Sequence, residues 1–462
     1  MKPRRLTLIL ALAASAVLIT STLASANGQG PPILVDPFGA SCPAQHKTVV
    51  EPDTYSAGST IVAVAQTGLF TDGGACDNGF ATSTTNGASW TSGVLPGITI
   101  YTNPPGPYAR ASDPSIAFDA RHNVRIAVSL ALNTPGPAAP IGVAVLASRS
   151  TNGGLTWGNP VKIATIGAGQ NFEKPWIVCD NSSSSLFSGS CYVQFDDAGH
   201  GKQLKISSST DGGLTWTARP APNIGVIGGQ PLVQPSGTVI IPIDNASETS
   251  LGALVSTNGG GSWTVVTITS ITAAKDPGGI VSGPLPSAEI DGAGKVFVTW
   301  EDCRFRAACT TNDLVYVTSS DGIHWSAVQR IPIDSLTSTV DHLIPGIGVD
   351  KLTSGPGAHI SVTYYFFPNV SCTFTTCQLF AGSISSSNGG GNWNPAVTLR
   401  GPMSLNLFPV LGQGRFLGDY ISTSFAGDGT SHGAVIAAGP PPGTDTFNVA
   451  LYDPPTRFKK VR

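Results

Sequence analysis

Apolar and polar positions alternate along this chain in short bursts, without a helical period. Runs such as "VRIAVSLAL" (124–132), "KVFVTW" (295–300) and "HISVTYYFF" (359–367) place β-branched and aromatic residues at strand spacing between Gly, Asp, Asn and Ser. A segment built on a proline recurs: "EPDTYS" (51–56), "DPSIAFD" (113–119), "KPWIVCD" (174–180), "QPLVQPSG" (230–237), "LPSAEIDG" (285–292) and "IPGIGVD" (344–350). In "GDYISTS" (418–424) an Asp stands in the proline's place. From Pro52 to Asp419 the steps are 62, 61, 56, 55, 59 and 74 residues. Within each step a strongly apolar strand follows, then a third such as "GVAVLASRS" (142–150), "KQLKISSS" (202–209) or "DLVYVTSS" (313–320).

The third strands run into a marked turn. Four copies are full, "STNGGLTW" (150–157), "STDGGLTW" (209–216), "STNGGGSW" (256–263) and "SSNGGGNW" (386–393), and "TTNGASW" (84–90) and "SSDGIHW" (319–325) read as one residue shorter. Glycines supply positive φ, the Asp or Asn caps backbone amides, Thr or Ser opens the next strand, and Trp buries a large ring. Each part has a structural job, so a ligand held by the turns themselves is the weaker reading. A repeat of about sixty residues filled with strands predicts an all-β fold: a single β-propeller of four-stranded antiparallel blades. Seven starts against six marked turns favour seven blades, the last without its turn; six blades is the alternative.

These octapeptides resemble the Asp-box, or BNR repeat, of the sialidase superfamily, over about residues 45 to 455. The expected organisation is a signal peptide at 1–26, an extension at 27–44, the propeller at 45–455 and a basic tail at 456–462. The leader is read from Lys2, Arg4 and Arg5 ahead of an apolar run, then Ala24-Ser25-Ala26 as cleavage site; a retained anchor is the rival. A soluble, secreted or extracytoplasmic protein with no membrane span after cleavage is expected, and a monomer. All eight cysteines follow the leader, and local pairing is expected: Cys42 with Cys76, Cys179 with Cys191, Cys303 with Cys309, Cys372 with Cys377. Metal binding by them is disfavoured, because no CxxC occurs. No cofactor or metal is expected.

Charged residues make up 11% of the chain, against about 25% in an average protein. Net charge is -3, which gives no nucleic-acid footprint. Propeller geometry puts the residues before each proline strand and after each second strand at one rim, opposite the marked turns. They are Glu51, Arg110, Asp113, Glu173, Lys174, Asp196, Asp197, Gln230, Glu301, Asp302, Arg304, Arg306, Asp341, His342, Arg415, Asp419 and Tyr420. In so charge-poor a chain this rim is the main functional signal.

The resemblance implies an exo-alpha-sialidase, a retaining glycosidase acting on extracellular glycans with a Tyr nucleophile. The residues that fit are Tyr420 with Glu301 as nucleophile pair, Asp113 as acid/base, and Arg110, Arg304 (or Arg306) and Arg415 as a clamp on the substrate carboxylate. Lys174, Glu173 and His342 join them as substrate-binding candidates. Plainer readings stay open: local ion pairs would explain Arg304 and Arg306, and Tyr420 could pack near the axis. The only Arg-Ile-Pro, at 330–332, reads as the last strand of the fifth module. The alternative is a non-catalytic propeller that binds a glycan, a cell-wall polymer or a protein at the same rim.

Overall fold

The computed structural model describes residues 30–133 and 139–458. The expected leader, and the last four residues of the basic tail, lie outside the described residues. Among those described, the fold is all-β, with a few 3-10 turns as its helical content.

Four-stranded antiparallel meanders follow one another. The first is Gln45–Ala57, Thr60–Leu69, Ala75–Ser83 and Thr91–Val94. The second is Arg110–Asp119, Val124–Asn133, Ile141–Ser150 and Val161–Thr165. The third is Phe172–Cys179, Cys191–Asp197, Gln203–Ser209 and Thr217–Arg219. In the fourth, a first strand split into Val226–Gly229 and Leu232–Val233 pairs with Val239–Asn245, followed by Ser250–Ser256 and Thr264–Ser270. The fifth is Ser287–Ile290, Val296–Asp302, Asp313–Ser319 and Gln329–Arg330, so Arg330 does sit on the last strand of its module. The sixth is Asp341–Val349, Ile360–Phe367, Gln378–Ser386 and Val397–Ser404.

The seventh sheet explains the missing marked turn. Ser422–Phe425 pairs with Thr430–Ala438, and both Val449–Tyr452 and Pro455–Arg457 pair along the other side of Thr430–Ala438. The next position belongs to the N-terminal segment: Ile33 N donates to Leu451 O at 2.8 Å, and Leu451 N to Leu34 O at 3.0 Å. No hairpin is needed where the outer strand comes from the other end of the chain. Residues 33–34 and 456–457, expected as extension and tail, are thus paired into the sheet.

Successive sheets are tied to each other, for the most part through their first strands. Asp53 accepts from Ile116 N, Ser115 Oγ donates to Pro175 O, and Gln194 Nε2, on the second strand of the third sheet, to Gly229 O. Gln230 accepts from Ala288 N, Ser287 from Ile347 N, and Thr423 Oγ1 donates to Gly346 O. Ser422 Oγ to Thr54 O brings the series back to its start. Between sheets lie apolar layers, such as Val62, Val64, Ile116 and Ala127 between the first and second. Burying each such Val or Ile contributes about 1.5–3 kcal/mol.

Proline makes the first strands bulge. It cannot donate to the ladder, so pairing slips between Val50 and Asp53, between Ser112 and Ser115, and between Leu343 and Gly346. The residue before four of the six prolines takes left-handed φ: Glu51 53°, Asp113 45°, Lys174 47°, Ile344 49°. Such backbone costs of order 1–3 kcal/mol per non-glycine residue and collects at functional sites.

The marked turns share one form. In 209–216 Asp211 Oδ1 accepts the N–H of Leu214 and Thr215, Oδ2 accepts the Thr215 hydroxyl, Ser209 Oγ accepts Gly213 N, and Trp216 donates to Gly213 O. The first turn corrects the sequence reading: Ser83 accepts Gly87 N and Thr85 accepts Ser89 N, so 83–90 is a full-length copy with Thr85 in the Asp position. The turn at 319–325 is the shorter form, with Ser319 accepting Gly322 N. All four expected disulfides are formed. The Cys303–Cys309 and Cys372–Cys377 bridges close short loops opposite the marked turns.

Candidate functional site

At the end away from the marked turns, the bulges of the first three sheets turn Glu51, Asp113 and Lys174 into one pocket. Its volume is about 380 Å³, and Gln66, Asp72, Ser112, Glu173, Asp419 and the 411–413 segment also line it. Lys174 is the hub: its ammonium lies 2.5 Å from Asp419 Oδ2, and its N–H donates to Asp113 Oδ2 at 2.8 Å. Ser112 Oγ donates to Asp113 Oδ1 at 2.8 Å, and Gln66 Nε2 donates to Glu51.

Burial and mutual repulsion shape the chemistry here. Burial, then Asp113 and Asp419, push Glu51 well above the usual carboxylate range. The Glu173 carboxyl is pushed up to about 8 by burial and Asp113. Burial drives Asp196 up to about 7 against the pull of Lys174. Burial alone would lower Lys174, but Asp419, Asp113 and Glu51 hold it well above the ordinary lysine value. A proton-holding carboxyl beside hydrogen-bonded carboxylates is the arrangement that general acid–base chemistry uses.

The arginines expected to clamp a carboxylate do not converge. Arg110 closes on both oxygens of Asp72 (2.6 and 3.2 Å) and on Gly73 O, with its guanidinium 4.0 Å from the Phe70 ring. Arg304 is held by Asp302 at 2.7 Å and by Thr269. Arg306, with a side chain 1% exposed, spans Asp313 and Asp334 at 2.6 and 2.7 Å. Arg415 donates to Phe408 O. These four have no partner in common, and none lines the pocket. Local ion pairing, the plainer reading, describes Arg304 and Arg306.

Tyr420 and Glu301 also stay apart. The Tyr420 hydroxyl donates to Pro114 O at 3.1 Å, its ring meets Trp176 edge-on at 4.9 Å, and burial followed by Glu51 and Asp113 pushes its phenol up. A raised phenol held by a carbonyl is a poor nucleophile, so the pairing with Glu301 is corrected. Glu301 accepts Ile344 N at 3.1 Å, and burial, Asp276 and Asp341 raise it. Asp341, pushed up to about 9 by burial and Asp276, belongs to that second acidic group. His342, lowered by burial, packs edge-on to Tyr364. Gln230 and Asp302 serve as structural acceptors, as does Asp197, bound to Asn171 N and Gln170.

Of the expected set, the pocket therefore unites Asp113, Glu173, Lys174, Glu51 and Asp419. Gln66, Asp72 and Asp276 escaped the sequence reading. Asp72 carries a signal in its "DGG" loop; Gln66 looks like any polar strand residue. Asp313, Asp334 and His342 bring ligand atoms within 4.8 Å of one another, but the guanidiniums of Arg306 and Arg330 already neutralise both carboxylates.

No family model matches the chain, and no curated protein matches it. Among solved structures, Trypanosoma rangeli sialidase in complex with sialic acid superposes with a TM-score of 0.50 at 13% identity, covering 78% of this chain and 58% of that one. A Hadza microbial sialidase gives 0.47 at 15% identity, covering 69% and 64%. Penicillium chrysogenum alpha-L-arabinanase gives 0.43 at 16%, covering 74% and 92%. This chain thus spans less than two thirds of either sialidase, and at such identities the likeness is one of fold. The fold is sialidase-like.

Proposed function

We propose that the protein is a secreted, seven-bladed propeller that acts on extracellular glycans through the pocket around Lys174, by carboxylate chemistry and without an arginine clamp. The observation that carries this reading is the gathering of Glu51, Asp113, Glu173 and Asp419 around one ammonium in an open pocket, while every candidate arginine is tied elsewhere. The glycan class is drawn from the resemblance of the marked turns and from the fold. Four disulfides, and the absence among the described residues of a helix able to cross a membrane, are consistent with an extracellular setting.

Glu173, holding a proton near neutral pH, is the acid that protonates the departing oxygen. Asp113 is the base or nucleophile, positioned by Lys174 N–H and Ser112. Lys174 and Asp419 orient the pair. Turnover on a panel of aryl glycosides, with Glu173→Gln and Asp113→Asn losing roughly 10²–10⁴ in rate, is the expected result. No turnover on any member would leave the second reading, glycan binding without hydrolysis. The Lys174–Asp419 ion pair favours that one, since both groups are already spent on each other.

A further inference from the structure

A second constellation lies between the fifth and sixth sheets and takes no part in the glycan reading. Asp313 opens the third strand of the fifth sheet, Asp334 follows its last strand, and His342 is the second residue of the sixth sheet. One oxygen of each carboxylate is spoken for: Arg306 and Arg330 both bridge Asp313 Oδ1 to Asp334 Oδ1, at 2.5 to 2.8 Å. The other two oxygens, Asp313 Oδ2 and Asp334 Oδ2, are buried without a hydrogen bond.

His342 completes the set. Its Nδ1 faces Asn312 O at 3.3 Å, and a carbonyl can only accept, so Nδ1 carries the hydrogen and Nε2 presents a lone pair. That nitrogen is 3.8 Å from Asp334 Oδ2, and edge-on packing against Tyr364 fixes the ring. Ligand atoms of the three residues lie within 4.8 Å of one another, and among the described residues no other three acidic, imidazole or thiol groups do so. Three acceptors thus face each other with no donor between them. Asp313 and His342 are each 1% exposed, so the bulk solvent does not relieve them and a cation does.

The donor set indicates the kind of ion. Two carboxylates and one imidazole suit zinc or a neighbouring first-row dication, and three protein ligands leave a position for water. At about 2.1 Å per bond the edges of a zinc tetrahedron are roughly 3.4 Å, so the 3.8 Å pair is nearly in place and the widest pair closes by no more than about 1.4 Å. Arg306 and Arg330 stand where outer-shell donors stand in metal centres, orienting each carboxylate from its far oxygen. They also balance the carboxylate charge, so the ion adds net positive charge and is held only moderately, with a Kd of about 1–10 µM.

We propose that Asp313 Oδ2, Asp334 Oδ2 and His342 Nε2 form a divalent metal site, with zinc as its ion, that clips the fifth sheet to the first strand of the sixth. The full chain, dialysed against chelator, is titrated with zinc chloride by calorimetry, and crystals grown with zinc are measured at the zinc absorption edge. One ion per chain with a Kd of about 1–10 µM, an anomalous peak between the three side chains and a Tm that rises with zinc are expected. His342→Phe keeps the ring packing and removes the ligand, and should weaken binding at least about tenfold; His324→Ala, which removes the exposed His324–Asp321 pair, should leave it unchanged. No saturable binding up to about 100 µM, a peak at another place, or equal affinity in wild type and His342→Phe would overturn the proposal and leave a buried water or a proton as what the three acceptors share. If His342→Phe does not fold, the position of the anomalous peak decides alone.

Discussion

Glu173→Gln should make the folded protein more stable in alkali, although it removes the proposed acid. The wild-type carboxyl titrates at about 8 in the fold, against an ordinary 4.5. A raised folded value means that the stabilisation is complete below pH 4.5 and is lost as pH rises through about 8. At 1.36 kcal/mol per pH unit the ceiling is about 5 kcal/mol, and sharing of charge with Asp113, Asp196 and Lys174 brings the expected effect to roughly 2–4 kcal/mol. Gln reproduces the protonated form and cannot ionise. Urea denaturation of both proteins across pH 4 to 9, with midpoints and slopes compared, is the assay. The curves should coincide near pH 4, part above about pH 4.5 and run parallel again above about pH 8, the variant being the more stable at pH 9. Parallel curves over the whole range would refute the buried-acid reasoning, and with it the assignment of Glu173 as proton donor.

Other substitutions separate frame from site. Tyr420→Phe loses one hydrogen bond to Pro114 O and should cost about 1 kcal/mol with glycan turnover or binding intact; an abolished activity at full stability would restore the nucleophile reading. Arg306→Met leaves Asp313 and Asp334 to Arg330 alone and should cost about 1.5–3 kcal/mol, read as a drop in Tm, without a change in ligand affinity of what remains folded. Asp211→Ala removes a carboxylate held down at about 2 by the bonds of its turn and should cost about 1–2 kcal/mol, with pocket function untouched. Deleting residues 30–36 uncovers Leu451 of the seventh sheet, and limited proteolysis should then cut first within 422–457.

Much of the frame was legible because its causes are local. The proline segments, the glycine turns and the alternating runs encode strands and their order, and nearby cysteines found their partners. The bulges were half legible: Pro52, Pro114 and Pro175 announce an interrupted ladder, but not that Glu51, Asp113 and Lys174 share a pocket. Lys174 and Asp419, 245 residues apart, meet through the closing of the ring.

The same charged residues sort differently once folded. Sequence sees Arg110, Arg304, Arg306 and Arg415 as equal candidates at one rim. Tertiary structure gives each its own acceptor, because a buried guanidinium must be paired where it stands. Tyr420 lies just ahead of the seventh sheet and Glu301 on the fifth, so adjacency to Pro114 in one case and Ile344 in the other decides their roles. By itself the sequence determined the repeat, the turns and the stock of charge at one end of the fold. Only the tertiary structure decided which of those charges face water together, since pairing and burial depend on contacts between sheets that local sequence does not record.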